Sequence, residues 1–210
     1  MSSAEAIGLN IARPKGDEMR KLIVNEFLTL DGTAQAGGGP DEDTSGGFRH
    51  GGWHMQYGAG DGMVELIGEA GGFLLGRRTY ELFAGYWPNA PEDTRAFAEP
   101  MNTKPKHVAS RTLTGPLEWQ NSSLLQGSLP EAVAQLKKED GGDLLVIGST
   151  VFVQSLIQQG LVDEFRLEID PVLVGGGKRI FPDDGALRPL RLVDHKVTGA
   201  GSIIATYAPA

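Results

Sequence analysis

The sequence contains no cysteine among its 210 residues. This absence excludes disulfide bonds, cysteine-ligated zinc, iron–sulfur clusters and thiol catalysis. The N-terminus has no apolar segment of the kind found in signal peptides. No apolar run approaches the roughly 20 residues that cross a bilayer. We therefore expect a cytoplasmic protein without a membrane partner.

Positive charge is also scarce, with 19 lysine and arginine residues against 27 aspartate and glutamate residues and a formal net charge of -8. Nucleic acids and anionic membranes require a basic surface, so we expect neither as a partner. A local basic pocket for one phosphorylated small molecule stays compatible with this balance. The four histidines show no metal-ligand spacing, so we predict no metal site and interpret each histidine as structural or solvent-exposed.

The length and composition are typical of one soluble domain. Residues 1–19 are polar and are predicted to form a flexible N-terminal extension, whereas residues 20–208 are predicted to form a single domain. Residues 32–60 are rich in glycine and contain Phe48, Trp53 and Tyr57. A long segment without regular structure inside a compact domain is usually functional, so we predict a lid or binding loop.

Strand patterns alternate with helix patterns until about residue 160, and strand patterns follow one another afterwards. The predicted strands are 21–30, 73–75, 106–110, 117–121, 143–147, 164–170, 171–174, 190–198 and 202–207, and the predicted helices are 61–70, one after Gly76, one around 92–101, 128–140 and 150–159. This alternation indicates βαβ units, hence a mostly parallel sheet with helices on both faces. The last two strands add an antiparallel hairpin.

Three predicted strand ends carry glycine, hydroxyl or arginine residues, at the edge of the sheet where α/β proteins bind ligands. At the first, Gly76 allows close approach of a ligand, and Arg77, Arg78 and Thr79 add donors at a helix N-terminus, which attracts phosphate. A solvated arginine pair at a helix start explains the same residues equally well.

The second strand end carries Ser110 and Arg111, a combination that suits a ribose 2′-phosphate, although an ordinary polar loop is the simpler interpretation. The third carries Gly148, Ser149 and Thr150, which suit a phosphate at a helix N-terminus but also an ordinary helix cap. No dinucleotide fingerprint follows the first strand, and the P-loop, H-E-x-x-H and G-x-S-x-G motifs are absent.

Taken together, the order and spacing of these segments resemble the dihydrofolate reductase superfamily. The branch that is most similar contains the reductase domain of the riboflavin-biosynthesis deaminase/reductase. The resemblance extends from about Arg20 to Tyr207, and the matching segments are 28–32 (LTLDG), 74–81 (LLGRRTYE), 108–111 (VASR), 146–149 (VIGS), 163–167 (DEFRL), 171–175 (PVLVG) and 181–182 (FP). It implies a dihydrofolate-reductase-like three-layer α/β fold, with a mostly parallel central sheet, helices on both faces and an antiparallel C-terminal hairpin.

The resemblance also implies an NADPH-dependent oxidoreductase that forms a homodimer. The implied NADPH contacts are Gly76, Arg77, Arg78 and Thr79 for the pyrophosphate and adenine ribose, Ser110 and Arg111 for the 2′-phosphate, and Gly148, Ser149, Thr150 and Val151 for the other side of the pyrophosphate. The backbone of Phe27 is expected near the nicotinamide. The loop 32–57 is the implied lid, and Asp31, Trp53 and Glu168 are expected to contact the substrate or to belong to the lid.

Several positions depart from true dihydrofolate reductases. Their catalytic acid has Asp61 or Glu65 as its nearest counterpart, and both lie opposite the apolar stripe of the predicted helix, where a solvated face is the simpler interpretation. Glu168 replaces a threonine that contacts the pteridine, and Trp53 lies in a Gly-Trp-His segment instead of Trp-x-x-Pro. These departures argue against folate as the substrate. The absence of a deaminase domain from this sequence argues against the riboflavin-pathway role.

The leading hypothesis is therefore an NADPH-dependent reductase that transfers a hydride to a small substrate, such as a pteridine-like or pyrimidine-like compound. The first alternative is a dinucleotide-binding module of the same fold without catalysis. The second is a metabolite-binding protein that uses only the aromatic loop, which leaves the three polar strand ends unexplained.

Overall fold

The computed structural model describes residues 19–58 and 62–210, which form one eight-stranded sheet flanked by five α-helices. The strands are β1 (Leu22–Thr29), β2 (Gly72–Gly76), β3 (Lys106–Ala109), β4 (Ser122–Leu124), β5 (Leu144–Ile147), β6 (Glu164–Asp170), β7 (Leu190–Val197) and β8 (Ile203–Pro209). The helices are α1 (Met63–Glu69), α2 (Arg77–Tyr86), α3 (Arg95–Thr103), α4 (Leu129–Lys138) and α5 (Thr150–Gln158), with short 3-10 segments at Ser45–Gly47, Trp87–Asn89 and Glu92–Thr94.

The strand order is β4-β3-β2-β5-β1-β6-β8-β7. The pairs from β4 to β6 are parallel, whereas β8 is antiparallel to both β6 and β7. The prediction of a mostly parallel sheet with an antiparallel C-terminal hairpin is confirmed. Because parallel neighbours run the same way, the carboxyl ends of β3, β2, β5, β1 and β6 lie along one edge of the sheet.

Apolar side chains on the two faces of the sheet form two core clusters. One cluster packs α4 and α5 against the sheet and includes Val24 of β1 and Val153 of α5. The other packs α1, α2 and α3 against the opposite face and includes Ile23 of β1 and Ile67 of α1. Alternate residues of β1 thus enter opposite layers, as the two-residue period of a strand requires. Every residue of β2 is buried, as predicted from its continuous apolar run.

Helix α4 begins where its sequence signal predicts. Ser128 is the N-cap residue, Pro130 lies in the first turn, and the side chain of Glu131 accepts a hydrogen bond from the Ser128 backbone at 3.3 Å. The helix therefore has a complete capping box, which satisfies backbone donors that would otherwise lack partners at its start.

Two predicted strands are wrong. Residues 117–121 are irregular, because the backbone turns at Asn121 with a φ of 57° and pairing begins only at β4. Residues 171–174 are also irregular, because the backbone N–H of Val174 donates to the side chain of Asp31 rather than to a neighbouring strand.

The predicted N-terminal extension lies, apart from Met19, outside the described residues. In the described part of the chain, no helix has the length and hydropathy that a membrane span requires.

Candidate functional site

The three polar strand ends lie side by side at the carboxyl edge of the sheet. Gly76, the last residue of β2, pairs laterally with Ala109, the last residue of β3. Strand β5, which ends before Gly148, lies between β2 and β1. The residues that follow β3, β2 and β5 are therefore neighbours in space, as the sequence predicts from the fold class.

The first and third strand ends pack directly against each other. A Cβ atom at Gly76 would lie 2.9 Å from Oγ of Ser149 and 3.0 Å from Cβ of Phe152, so a larger residue requires a shift. Gly148 has a φ of 62°, and a Cβ atom there would lie 3.2 Å from Oγ1 of Thr79. Glycine is thus required at Gly76 by close approach and at Gly148 by its left-handed backbone.

Two helices begin at this contact. Helix α2 begins at Arg77 and α5 begins at Thr150, and within the described structure neither N-cap residue makes a side-chain capping hydrogen bond. Helix α4 differs in that the carboxylate of Glu131 in its first turn accepts hydrogen bonds from the backbone and the hydroxyl of its N-cap residue, Ser128. The first N–H groups of α2 and α5 have no intrahelical partners, and the helix dipole is positive there, so this contact is suited to an anion.

Exposed basic side chains lie in the first turn of α2 and just after β3. Arg77 forms an ion pair with Glu81 at 3.6 Å, and Arg78 and Arg111 are exposed. Oγ of Ser110 accepts backbone hydrogen bonds from Thr112 at 3.1 Å and Leu113 at 2.9 Å, which leaves its own proton to donate. At the start of α5, Thr150 is half-buried and Val151 is exposed.

The third strand end contacts a buried carboxyl group, that of Glu26, which sequence reasoning missed. The backbone N–H of Gly148 donates to Oε1 of Glu26 at 2.8 Å. Burial raises the pKa of Glu26 to about 8. An acidic residue inside a strand is normally assigned to a solvent-facing position, so the sequence offers no signal for this contact.

The glycine-rich loop, here residues 32–58, forms hydrogen bonds and an ion pair with the segment 172–178. The side-chain amide oxygen of Gln35 accepts a hydrogen bond from the backbone of Lys178 at 3.0 Å, and Lys178 also forms an ion pair with Asp43. Indole Nε1 of Trp53 donates to the backbone oxygen of Gln35 at 2.8 Å, and this tryptophan is buried. The predicted lid residue Trp53 is therefore part of the internal packing of the loop.

Asp31 also contacts the segment that follows β6. Its carboxylate accepts hydrogen bonds from Oγ1 of Thr29 at 2.5 Å and from the backbone N–H of Gly175 at 2.8 Å. These hydrogen bonds lower its pKa, with the bond from Thr29 making the largest contribution. The structure places Asp31 at the junction of β1 with residues 171–175, whereas its expected substrate contact stays a prediction.

A buried polar cluster lies beside Phe27, the residue whose backbone is expected near the nicotinamide. The ring of His54 stacks on the Phe27 ring with centroids 3.5 Å apart and planes 16° apart. Nδ1 of His54 lies 2.8 Å from Oδ2 of Asp170, and Oδ1 of Asp170 accepts a hydrogen bond from Oγ of Ser202 at 2.6 Å. Sequence reasoning missed this arrangement, because His54 and Asp170 are 116 positions apart.

Glu168 belongs to the same cluster. It pairs laterally with Phe27 across β1 and β6, it is buried, and its carboxylate lies within 4.8 Å of a ligand atom of His54 and one of Asp170. Histidine and carboxylate groups are also common metal ligands. Here, however, Nδ1 of His54 and both carboxylate oxygens of Asp170 already take part in hydrogen bonds.

The two acids expected to serve catalysis have different outcomes. Asp61 lies outside the described residues. Glu65 lies on the exposed side of α1, whereas Met63 and Ile67 are buried and Leu66 is half-buried, so the predicted apolar stripe is confirmed. The side chain of Glu65 therefore faces solvent, and its expected role in catalysis stays a prediction.

Comparison with known proteins agrees with this architecture. The chain is 28% identical over 193 residues to the uncharacterized protein YyaP of Bacillus subtilis strain 168, covering 90% of this chain and 95% of that protein. A putative riboflavin biosynthesis protein from Shewanella sp. PV-4 superposes with a TM-score of 0.69 at 22% identity, covering 90% of this chain and 99% of that chain. Dihydrofolate reductase from Enterococcus faecalis, complexed with NADP(H) and RAB-propyl, superposes with a TM-score of 0.56 at 17% identity, covering 90% of this chain and 96% of that chain.

The structural matches establish the dihydrofolate-reductase-like fold that the sequence motifs predict. At the level of sequence, residues 20–204 match the family described as the RibD C-terminal domain. The matched region contains strands β1 to β7 and ends at the second residue of β8. The chain belongs to the RibD C-terminal domain family.

Proposed function

We propose that this protein is an NADPH-dependent reductase that transfers a hydride to an electrophilic C=N or C=O carbon of a small substrate, such as a pteridine-like or pyrimidine-like compound. The observation that carries the proposal is the contact of two uncapped helix N-termini, those of α2 and α5, across Gly76 and Gly148. The structural neighbour from Enterococcus faecalis is a dihydrofolate reductase complexed with NADP(H), which agrees with this assignment.

The residues of this edge fit a dinucleotide. We propose that the N–H groups at the starts of α2 and α5 bind the pyrophosphate, because glycine at positions 76 and 148 keeps side chains away from them. The proposed cofactor-binding residues are Phe27, Gly76, Arg77, Arg78, Thr79, Ser110, Arg111, Gly148, Ser149, Thr150 and Val151. In this assignment, Ser110 and Arg111 bind the 2′-phosphate that distinguishes NADPH from NADH.

The cofactor supplies the hydride when it is bound. The chain itself binds and orients the reacting groups, and it excludes water from the reaction. Phe27, on which the ring of His54 stacks, forms the boundary where we place the nicotinamide end of the site. A proton must also reach the substrate, and the assignment of this step to Asp61 or Glu65 rests on the family resemblance alone.

The experiment that tests the proposal combines binding with turnover. We expect NADPH to quench protein fluorescence with a saturable dissociation constant. We also expect NADPH oxidation with at least one compound in a panel of pteridines, pyrimidinones and quinones. Binding without turnover across the panel would instead favour the dinucleotide-binding module, and the absence of NADPH binding would refute both assignments.

We also propose that the protein is a homodimer located in the cytoplasm. All eight residues of the edge strand β7 are exposed, including Leu192 and Val197. Exposed apolar side chains on an edge strand favour association, because a partner surface can bury them. Sedimentation velocity should give a dimer for the wild type, and Leu192→Lys should shift it toward monomer. A monomeric wild type would refute this assembly.

A further inference from the structure

The contact with Asp170 orients the ring of His54, with Nδ1 toward the carboxylate and Nε2 away from it. The carboxylate of Asp170 is fully buried and accepts a hydrogen bond from Ser202 on its other oxygen. An ionised carboxylate accepts hydrogen bonds but does not donate them, so with Asp170 ionised the 2.8 Å contact places the proton on Nδ1 of His54. Nε2 then carries a lone pair in the neutral ring and an N–H in the imidazolium.

Nε2 of His54 is buried and has no hydrogen-bond partner among the described residues. His54 as a whole is only 5% exposed. A buried polar atom without a partner is unfavourable, and such atoms in native structures usually serve a ligand, a water molecule or a reaction. The stack on Phe27 and the Asp170 contact hold the ring, so Nε2 cannot turn to another partner without losing the Asp170 contact.

His54 lies beside the residue where we place the nicotinamide end of the site. Along β1, every residue is buried except Phe27, which is half-buried, so Phe27 is the position of this strand with partial access to solvent. Phe27 is also where we place the nicotinamide end of the site. The titratable groups beside His54 in the described structure are Glu168 and Asp170 on β6, whereas Phe27, Trp53 and Ser202 carry no charge.

We propose that His54 contacts the substrate through Nε2 and donates the proton that completes reduction, with Asp170 as its positioning residue. This inference rests on the proposed reductase function. The hydride forms the new C–H bond at the electrophilic carbon, and the C=N or C=O π electrons move to the nitrogen or oxygen. That atom takes the proton from Nε2 of the imidazolium, and water then reprotonates the neutral imidazole. Oxidation of the nicotinamide balances reduction of the substrate.

The first arm of the test needs no substrate. Long-range ¹H–¹⁵N NMR of the whole protein reports which nitrogen of each histidine is protonated. We expect Nδ1 of His54 to stay protonated while Nε2 gains its proton as the pH falls, and we expect Asp170→Asn to shift the neutral ring toward the Nε2–H form. A neutral wild-type ring protonated on Nε2, or stoichiometric zinc bound at His54, would overturn the proposal.

The second arm uses NADPH and the substrate panel with His54→Asn, which retains a donor toward Asp170 but cannot titrate. We expect kcat to fall about 100-fold, with little change in NADPH affinity, because acid catalysis contributes on that order. The wild-type kcat should decline as the pH rises and deprotonates His54, and His54→Asn should lose this decline. His50→Asn, an exposed histidine of the same loop, is the matched control.

The two proposals fail in different ways. If the wild type binds no NADPH, the reductase function is refuted, and the proton-donor proposal falls with it whatever the NMR arm shows. If the wild type turns over and His54→Asn retains its rate and pH profile, the reductase function stands and His54 is not the donor.

Discussion

The backbone N–H of Gly148 donates a 2.8 Å hydrogen bond to Oε1 of Glu26, which anchors the segment between β5 and α5 to the neighbouring strand β1. Glu26 is buried, and its pKa is raised from 4.5 to about 8 by desolvation. This one contact links the protonation of a core carboxyl group to the position of the proposed pyrophosphate site.

The pKa of Glu26 predicts a pH dependence of stability. Between pH 4.5 and about 8 the unfolded chain has lost this proton and the folded chain retains it. The free energy of unfolding should therefore decrease as the pH rises through this window, by at most about 1.4 kcal/mol per pH unit. Glu26→Gln retains an oxygen acceptor for Gly148 and should remove this contribution.

Urea unfolding of the wild type and Glu26→Gln at pH 5, 6, 7 and 8 measures the effect. Glu65→Gln, at an exposed position of α1, serves as the control and should follow the wild-type curve. Parallel curves for the wild type and Glu26→Gln would show that Glu26 does not retain its proton in the folded state.

Gly76→Ala should weaken both stability and cofactor binding. The added methyl group would meet Ser149 and Phe152 at about the distance of a steric clash, since the nearest atom lies 2.9 Å away. We expect a loss of about 1–3 kcal/mol in the free energy of unfolding, together with weaker NADPH binding. Gly85→Ala in the same helix meets no atom within 4 Å, so it should be neutral or stabilising by up to about 1 kcal/mol. Equal stabilities of the two variants would contradict the proposed close packing.

Arg111→Ala should change cofactor preference. The guanidinium is expected to bind the 2′-phosphate of NADPH, which NADH lacks. A charge-assisted hydrogen bond of this kind corresponds to roughly tenfold to 100-fold in affinity. Fluorescence titration should show a loss of NADPH affinity with little change for NADH. Arg95→Ala, an exposed residue of α3, is the control, and equal losses for both cofactors would remove the assigned role of Arg111.

Trp53→Phe should loosen the glycine-rich loop without affecting the dinucleotide. The substitution retains an aromatic ring but removes the 2.8 Å hydrogen bond from Nε1 to the backbone of Gln35. We expect a decrease of about 1 kcal/mol in the free energy of unfolding. Unfolding and NADPH titration measure the two effects separately. A large loss of NADPH affinity with unchanged stability would instead assign Trp53 to the binding site.

The elements that the sequence predicts well are those with a strong local signal. The β-rich run at Leu22 to Thr29 and the capping box at Ser128 each depend on residues close in sequence, and both agree with the structure. The irregular segment 171–174 was predicted as a strand because apolar residues dominate it. The backbone N–H of Val174 donates instead to Asp31, which is 143 positions away and which no local pattern reveals as a partner.

The candidate site likewise contains residues that the sequence predicts and contacts that it does not. Gly76 and Gly148 lie at recognisable strand ends. Their proximity could therefore be predicted once a parallel sheet was assigned. The contacts of Glu26 with Gly148 and of His54 with Asp170 could not, because each joins residues more than 100 positions apart. Polar residues at these positions also contradict the usual expectation that charged side chains face solvent.

Crystallisation of the protein with saturating NADPH tests the central assignment most directly. The account predicts density for the pyrophosphate between the starts of α2 and α5, at Gly76 and Gly148, with the 2′-phosphate at Ser110 and Arg111 and the nicotinamide beside Phe27. A dinucleotide bound at any other surface of the molecule would contradict it.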